Sequence, residues 1–514
     1  MTVSTAEAAP TPPAQQKLLT RFGTWYYALH PSYRVALRWL LILASTGVAF
    51  YPSFVSLVHT TISRGIGGYV WTVWIVGLLV AGVVALRERN ELPIHDRQTD
   101  LIVGIMGFVL ALLIQAVLTP RFAMYFHLLR LDLLAMWLFV LSSCVVLFGL
   151  RPVARFAWVW ALLFMVFSLP YYLIVVVLGG GRGAAGAAAL LISSFGAAIA
   201  VGRSFRAAAL GFCAAWVVGA GVLFALGTLF RDAPMLLYQG LPSVFSLCVV
   251  IGVMAFWARK NGARHLHREV EPLAAKQVWS AVPLVVGVAM ILTFIPLPEQ
   301  ADTSVVERAA PGPLSFGQPV VAPRGWDTVA RRNFREVSRL YGNDAVMVRQ
   351  QMTAEVGDPR FDKLSRPRTV MVDSVVSQRP TSFTVFPSRA VYDMTGARMS
   401  PRHSVDLGYG VTGQILSVVD DNLLITWNAL RFEWGDQRLA QRITIFAVDN
   451  HEPDAPFPQP AGTTMSTVRT LFTLLFRGNA VLDERTPTFK DQELLTEFGR
   501  QLVAAQFTPS GEAG

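Results

Sequence analysis

Nine apolar stretches, each long enough to cross a bilayer, lie between residues 35 and 298; one crossing takes about 17–25 apolar residues. They are Val35–Leu57, Gly67–Leu86, Leu101–Leu118, Leu133–Leu150, Phe156–Leu178, Ala184–Val201, Ala207–Phe230, Leu241–Trp257 and Val278–Ile295. Hydrocarbon offers no water to a backbone N–H or C=O, so such a chain folds as helices, which pair those groups within each segment. The sequence therefore predicts a polytopic α-helical membrane protein with about nine transmembrane helices. Ala184–Val201 is the least typical stretch: it is rich in Ala and Gly and follows Gly179–Gly181, and a re-entrant segment is the alternative there. Only 15% of the residues are charged, against about 25% in soluble domains, and the mean hydropathy is +0.45. An ordinary soluble enzyme is excluded.

The net charge of +10 has two readings, a polyanion binder or a record of membrane topology. Position decides between them. Up to Pro298 there are 21 Lys and Arg against 9 Asp and Glu; from Glu299 onward there are 23 against 25. The basic excess thus lies wholly in the apolar half, and nucleic acid is not an expected partner. With nine crossings, 16 of those 21 cations fall on one side, among them Lys17, Arg38, Arg87, Arg97, Arg155 and Arg259; Arg64, Arg121, Arg130, Arg182 and Arg231 fall on the other. Cytoplasmic loops carry the excess of Lys and Arg. The N-terminus is therefore expected in the cytoplasm and the C-terminal half outside a multi-pass inner or plasma membrane. Met1–Gln16, rich in Ala, Pro, Thr and Gln, reads as part of a disordered cytoplasmic tail with no cleavable signal peptide.

Four regions follow: the tail over 1–34, a transmembrane helical bundle over 35–298, a Pro/Gly-rich linker over 299–323, and an extracytoplasmic domain over 324–510. In the last of these, Thr328–Leu340 reads as an amphipathic helix with Val329, Phe334, Val337 and Leu340 on its apolar side. Runs rich in Val, Ile, Thr and aromatics predict strands at Thr369–Val376, Ser382–Phe386, Gln414–Val419, Leu423–Trp434 and Ile443–Val448. Helical patterns at Met465–Phe476 and Gln492–Gln506 close the chain. Helices flanking a run of strands predict an α+β domain with an antiparallel sheet. It contains no Cys and folds without disulfides.

His127, Arg130 and Asp132, in YFHLLRLDLL, stand where the fourth stretch enters from outside. Ionisable groups at that depth are costly and mark functional sites, and helical spacing places His127 and Arg130 on one face. They form the candidate outward-facing polar site; the alternative is an interfacial flank where Arg snorkels to water. The run DNHEPD, Asp449–Asp454, concentrates oxygen and imidazole groups, but without HExxH spacing or a second ligand cluster it reads as a polar turn. No metal is expected. Asp420-Asp421 reads as a hairpin turn, and His265 and His267 belong to a basic cytoplasmic loop near anionic lipid. No P-loop or dinucleotide fingerprint is present and no cofactor is expected. Cys144, Cys213 and Cys248 all fall inside apolar stretches and read as small buried hydrophobes.

From Glu91 to about Val175 the order ELPIHDRQTDLIVG, VLFGLRPVARF and WALLFMVFSLPYY resembles the transmembrane exosortase/archaeosortase family, with Pro170 as the proline closing the LLF-type span. A polytopic bundle followed by an extracytoplasmic α+β domain is also similar to exosortases fused to their associated C-terminal domain. The resemblance covers about a sixth of the chain. It implies a bacterial envelope protein and, in the family's active members, a cysteine transpeptidase with Cys, Arg and His facing outward. This sequence lacks the family's Ala-Cys-Ser-Gly context: Cys213 stands in GFCAAW, the predicted topology puts it and Arg259 near the cytoplasm, and no suitable His follows. No catalytic residue carries over, so the resemblance implies a member without the chemistry.

The first functional expectation is thus a non-catalytic envelope protein whose extracytoplasmic domain binds a partner protein, a cell-surface polymer or membrane lipid in surface assembly or export. The second is an active exosortase-type cysteine transpeptidase or protease. A transporter ranks third, since the stretches hold almost no charge and show no repeated halves. A membrane glycosyltransferase is disfavoured because the first outer loop, HTTISRGI, has no carboxylate.

Overall fold

The computed structural model describes residues 30–63, 65–87, 97–202, 204–260, 281–299, 309–386, 388–392, 394, 397–421, 423–435, 438–452, 455–460, 464–477 and 489–508. The N-terminal half is helical: α1 Pro31–Ala49, α2 Tyr51–Ile62, α3 Tyr69–Ala85, α4 Arg97–Leu113, α5 Leu131–Phe148, α6 Ala157–Leu163, α7 Ser168–Val177, α8 Gly181–Val201, α9 Phe205–Leu229, α10 Met235–Lys260 and α11 Val282–Thr293. Six of these, with their flanking turns, are long and apolar enough to cross a membrane; there are eight if each of two bent pairs counts as one span. The ninth expected stretch is helical over only Val282–Thr293 among the described residues, about 18 Å at 1.5 Å per residue.

Both bends have proline causes. A proline ring clashes with the carbonyl four residues earlier. For Pro52 that carbonyl is on Val48, and α1 gives way to α2 there at 74°; for Pro170 it is on Val166, where α6 and its 3-10 extension turn by 70° into α7. The doubtful Ala/Gly-rich stretch is an unbroken 21-residue helix, α8. Its composition has a packing reason: a Cβ at Gly186 would lie 2.6 Å from the Tyr238 carbonyl of α10. Small residues let membrane helices approach this closely.

The C-terminal half is an eight-stranded antiparallel sheet with two longer helices. The strands are β1 Trp326–Phe334, β2 Met347–Ala354, β3 Thr369–Ser377, β4 Arg398–Met399, β5 His403–Asp406, β6 Thr412–Asp420, β7 Ile425–Gly435 and β8 Ala440–Val448, followed by α12 Thr464–Arg477 and α13 Gln492–Phe507. Their order is β1-β2-β3-β8-β7-β6-β4, with β5 also on β6. Side chains alternate across a strand, and here both faces are buried. Val370, Val372, Leu430, Phe432, Ile443 and Ile445 pack under α13 with Leu494, Phe498 and Leu502. Met371, Val375, Trp427, Ala429, Phe446 and Val448 belong instead to a core continuous with the helical bundle.

Two expectations are corrected. The helix predicted over Thr328–Leu340 is strand β1, antiparallel to β2, with a short helix at Ser338–Tyr341. Val329 is 63% exposed, so backbone pairing with β2 outweighed the weak helical periodicity. The strand predicted at Ser382–Phe386 is a single helical turn, Thr381–Val385.

Candidate functional site

The structure pairs Arg130 with Asp132 and closes both off. Arg130 sits between a helical turn, Phe126–Leu129, and α5, in the left-handed conformation (φ 47°, ψ 51°). That geometry turns its guanidinium back onto Asp132, with Nε donating to Oδ1 at 3.0 Å and Nη2 to Oδ2 at 2.9 Å. Nη2 also reaches the Ser53 carbonyl near the α1–α2 bend at 3.3 Å. Asp132, in the first turn of α5, gains from the helix dipole. His127 stands edge-on to Phe126 at 5.1 Å. All three residues are at most 3% exposed, so this cluster ties helices together beneath the sheet half.

An accessible polar space lies where the sheet half meets the start of α8, the end of α9 and the start of α10. A cavity of about 680 Å³ opens there between Arg182 of α8, the Arg231–Asp232 turn, the Asn343–Asp344 loop and Arg379. Its apolar wall is Leu223, Met235, Tyr238 and Phe316. The Gly179–Gly181 run makes the junction possible. All three glycines have positive φ, and a Cβ on Gly180 would meet the Arg339 carbonyl at 2.4 Å, one on Gly181 the Asn343 side chain at 2.2 Å.

Arg379 is the unusual group. It is 8% exposed, and its guanidinium makes no hydrogen bond or ion pair among the described residues. Burial, reinforced by the neighbouring Arg182, lowers its pKa to about 10, so it remains a cation at neutral pH. Arg182 donates from Nη1 to the Arg231 carbonyl at 2.5 Å, and Gln378 Nε2 donates to Asp344 Oδ2 at 3.3 Å. Three guanidinium groups thus face two carboxylates.

Two further clusters support this junction. Tyr69 and Tyr171 stack at 3.7 Å, and Gln239 Nε2 donates to the Tyr171 hydroxyl at 2.8 Å and to the Ile66 carbonyl at 2.7 Å. Tyr172 meets Phe386 of the sheet half at 5.8 Å. Behind Tyr341, which also lines the cavity, Arg402, Arg431 and Arg442 surround Glu433. Burial, then Arg442 and Arg402, lower Arg431 to about 9. Burial opposes ionisation of Glu433, yet Arg442 and Arg431 outweigh it and hold the carboxyl below its ordinary range.

The described part of the DNHEPD run is a polar turn. His451 Nδ1 contacts Asp362 Oδ2 at 2.9 Å and its Nε2 meets Arg368, while Lys490 pairs with Asp449 at 2.7 Å. Pro453 and Asp454 lie outside the described residues, as do His265 and His267. Asp420 and Asp421 make the β6–β7 turn, with Asp420 accepting from the Leu423 N–H at 3.1 Å and Asp421 pairing with Arg398 at 2.8 Å. Cys144 is buried, but Cys213 and Cys248 lie on exposed faces of α9 and α10, so the expectation of burial holds for Cys144 alone.

The cavity residues escaped sequence reading because Arg379 and Asn343 stand in ordinary polar loops; the readable signal was the GGGRG run that opens α8. No family model matches the chain, and no curated protein or solved structure is significantly similar to it.

Proposed function

We propose that the chain is an exosortase-like integral membrane protein of the cell envelope that binds its target without processing it. The bundle crosses the membrane about nine times, the N-terminus is cytoplasmic, and the sheet half stands outside. The target, whether membrane lipid, cell-surface polymer or partner protein, is taken where the two halves meet. The observation that carries this reading is the outer surface of α9 and α10. Leu210, Val217, Phe224 and Leu229, and then Phe256 and Trp257, are each at least 66% exposed. An apolar surface of that extent needs lipid around it, and it ends at the polar cavity.

The path of the chain supports the odd number of crossings. Helix α10 starts at the cavity and runs away from it, whereas the sheet that follows α11 sits back at the cavity end. The thiols favour binding over catalysis: Cys213 and Cys248 face outward from apolar helices, and Cys144 is enclosed by apolar side chains.

The test is impermeant maleimide labelling of single-cysteine variants in sealed cells, built on a background with Cys144, Cys213 and Cys248 replaced. Ser404→Cys, on exposed β5, is expected to label from outside, and Gly262→Cys, between α10 and α11, only after permeabilisation. Labelling of both from outside, or of neither, would overturn the topology.

A further inference from the structure

We propose that the junction cavity is a phosphate site, in which Arg379 and Arg182, at the start of α8, hold the phosphate group of a lipid headgroup or a free phosphate. The inference rests on the junction reading above and specifies the chemistry of its ligand.

Three observations converge on it. The first is Arg379 itself. Desolvating a guanidinium without a partner is costly, and no protein acceptor lies within ion-pair distance of it among the described residues; Asp344 acts on it only through space. Arg379 lines the cavity, and among the described residues its guanidinium N–H donors have no acceptor, which leaves them for a ligand there. The second is the start of α8, a 21-residue helix whose N-cap, Gly180, supplies no side-chain acceptor. The first N–H groups of a helix have no partner within it, and together with the helix dipole they favour an anion. Arg182 and Gly183 of that first turn line the cavity. The third is the charge balance: Arg182, Arg231 and Arg379 face Asp232 and Asp344, and Asp344 is already engaged by Gln378.

A phosphate group matches this donor set because its several oxygens accept from two guanidinium groups and backbone N–H groups at once. A neutral or cationic ligand would leave Arg379 unpaired. Leu223 and Met235, near the ends of helices whose outer faces are apolar, and Phe316 of the loop before β1 line the wall and suit a phosphate that carries an apolar body.

The experiment uses the full chain. In detergent, inorganic phosphate and pyrophosphate are titrated by calorimetry; in nanodiscs of phosphatidylcholine with added phosphatidic acid, retained lipid is read by native mass spectrometry. Saturable binding of a phosphate probe in at least one arm is expected. Arg379→Met is expected to weaken it on the order of tenfold to a hundredfold, and Arg182→Gln to weaken it as well. Arg379→Met without ligand is expected to melt no lower than the wild type, because no hydrogen bond or ion pair to a described residue is lost with the guanidinium; a residue with a purely structural role would lower the melting point. Retention of phosphatidic acid with no response to inorganic phosphate or pyrophosphate identifies a lipid source, and the reverse a free anion; either supports the phosphate site. Absence of binding in both arms, or unchanged binding in both variants, overturns it. That failure with the maleimide pattern intact rejects the phosphate and leaves the topology standing.

Discussion

Asp132 is fully buried and both its oxygens accept from Arg130, which also reaches Ser53. Removing one partner of such a pair strands the other charge, which costs about 3–5 kcal/mol. Asp132→Ala is therefore expected to destabilise the protein by about that much in thermal unfolding in detergent, whereas the double variant Arg130→Met/Asp132→Leu recovers most of the loss. A double variant no better than the single would mean that Arg130 is held chiefly by Ser53 and Phe126. The same type of side chain has the opposite character at 379, whose guanidinium has no hydrogen-bond or ion-pair partner among the described residues. The sequence displayed the first arginine, because an Arg and an Asp two residues apart stand out in an apolar run. It hid the second, because burial of Arg379 arises only when the loop after β3 meets α8.

Among the elements, those with a strong local pattern were legible. The apolar helices and the runs at β3, β6, β7 and β8 all stand near their predicted positions. Strand β2, MVRQQMTA, was not, because two of its polar residues are buried for reasons lying elsewhere in the chain. Arg349 pairs with Asp373 of β3 at 2.6 Å, and Gln350 exchanges hydrogen bonds with the Val320 backbone. Helix α13 is anchored in the same non-local way. Asp491 at its N-cap accepts from Arg368 at 2.8 Å and from Asn428 at 3.0 Å, and Arg368 leans on His451, which Asp362 holds. Both ring contacts of His451 are hydrogen bonds when Nε2 accepts from Arg368 and Nδ1–H donates to Asp362. Burial opposes ionisation of Asp362, but the Leu364 N–H, His451 and Arg366 outweigh it and hold the carboxyl at about 2. A carboxyl depressed in the folded state contributes stability that is complete above its unfolded value, about 3.9, and is lost as the pH falls toward its folded value. The anchorage of α13 is therefore expected to weaken between pH of about 4 and 2, read as faster amide exchange at the start of α13. Asp362→Asn should flatten that profile; an unchanged profile would place the acid sensitivity elsewhere, with Glu433 the next group to test.

At the scale of the whole molecule, charge and packing tell one story. Arg38 and Arg97 donate to carbonyls of Leu147 and Val146 at the end of α5, Arg155 to Val84 at the end of α3, and Arg87 to Ala200 at the end of α8. Cations suit helix C-termini, so part of the basic excess of this half closes the helix ends remote from the sheet. The opposite ends are closed by the sheet half itself, which the sequence could not reveal because it presented that half as a separate domain behind a linker. In the structure, Phe383, Phe386, Tyr392, Trp427 and Phe446 are each at most 3% exposed within a core shared with the bundle. Each such side chain contributes about 1.5–3 kcal/mol on burial, and part of that contribution depends on the bundle being present. A fragment spanning 309–508 is accordingly expected to expose this face, to bind a hydrophobic dye and to associate in solution. The full chain in detergent should protect the amides of β3 and β8 from exchange. A fragment that stays monomeric, silent to the dye and equally protected would show that the sheet needs no cover from the bundle. The cavity would then lie between two independently stable bodies, and its opening would follow their separation.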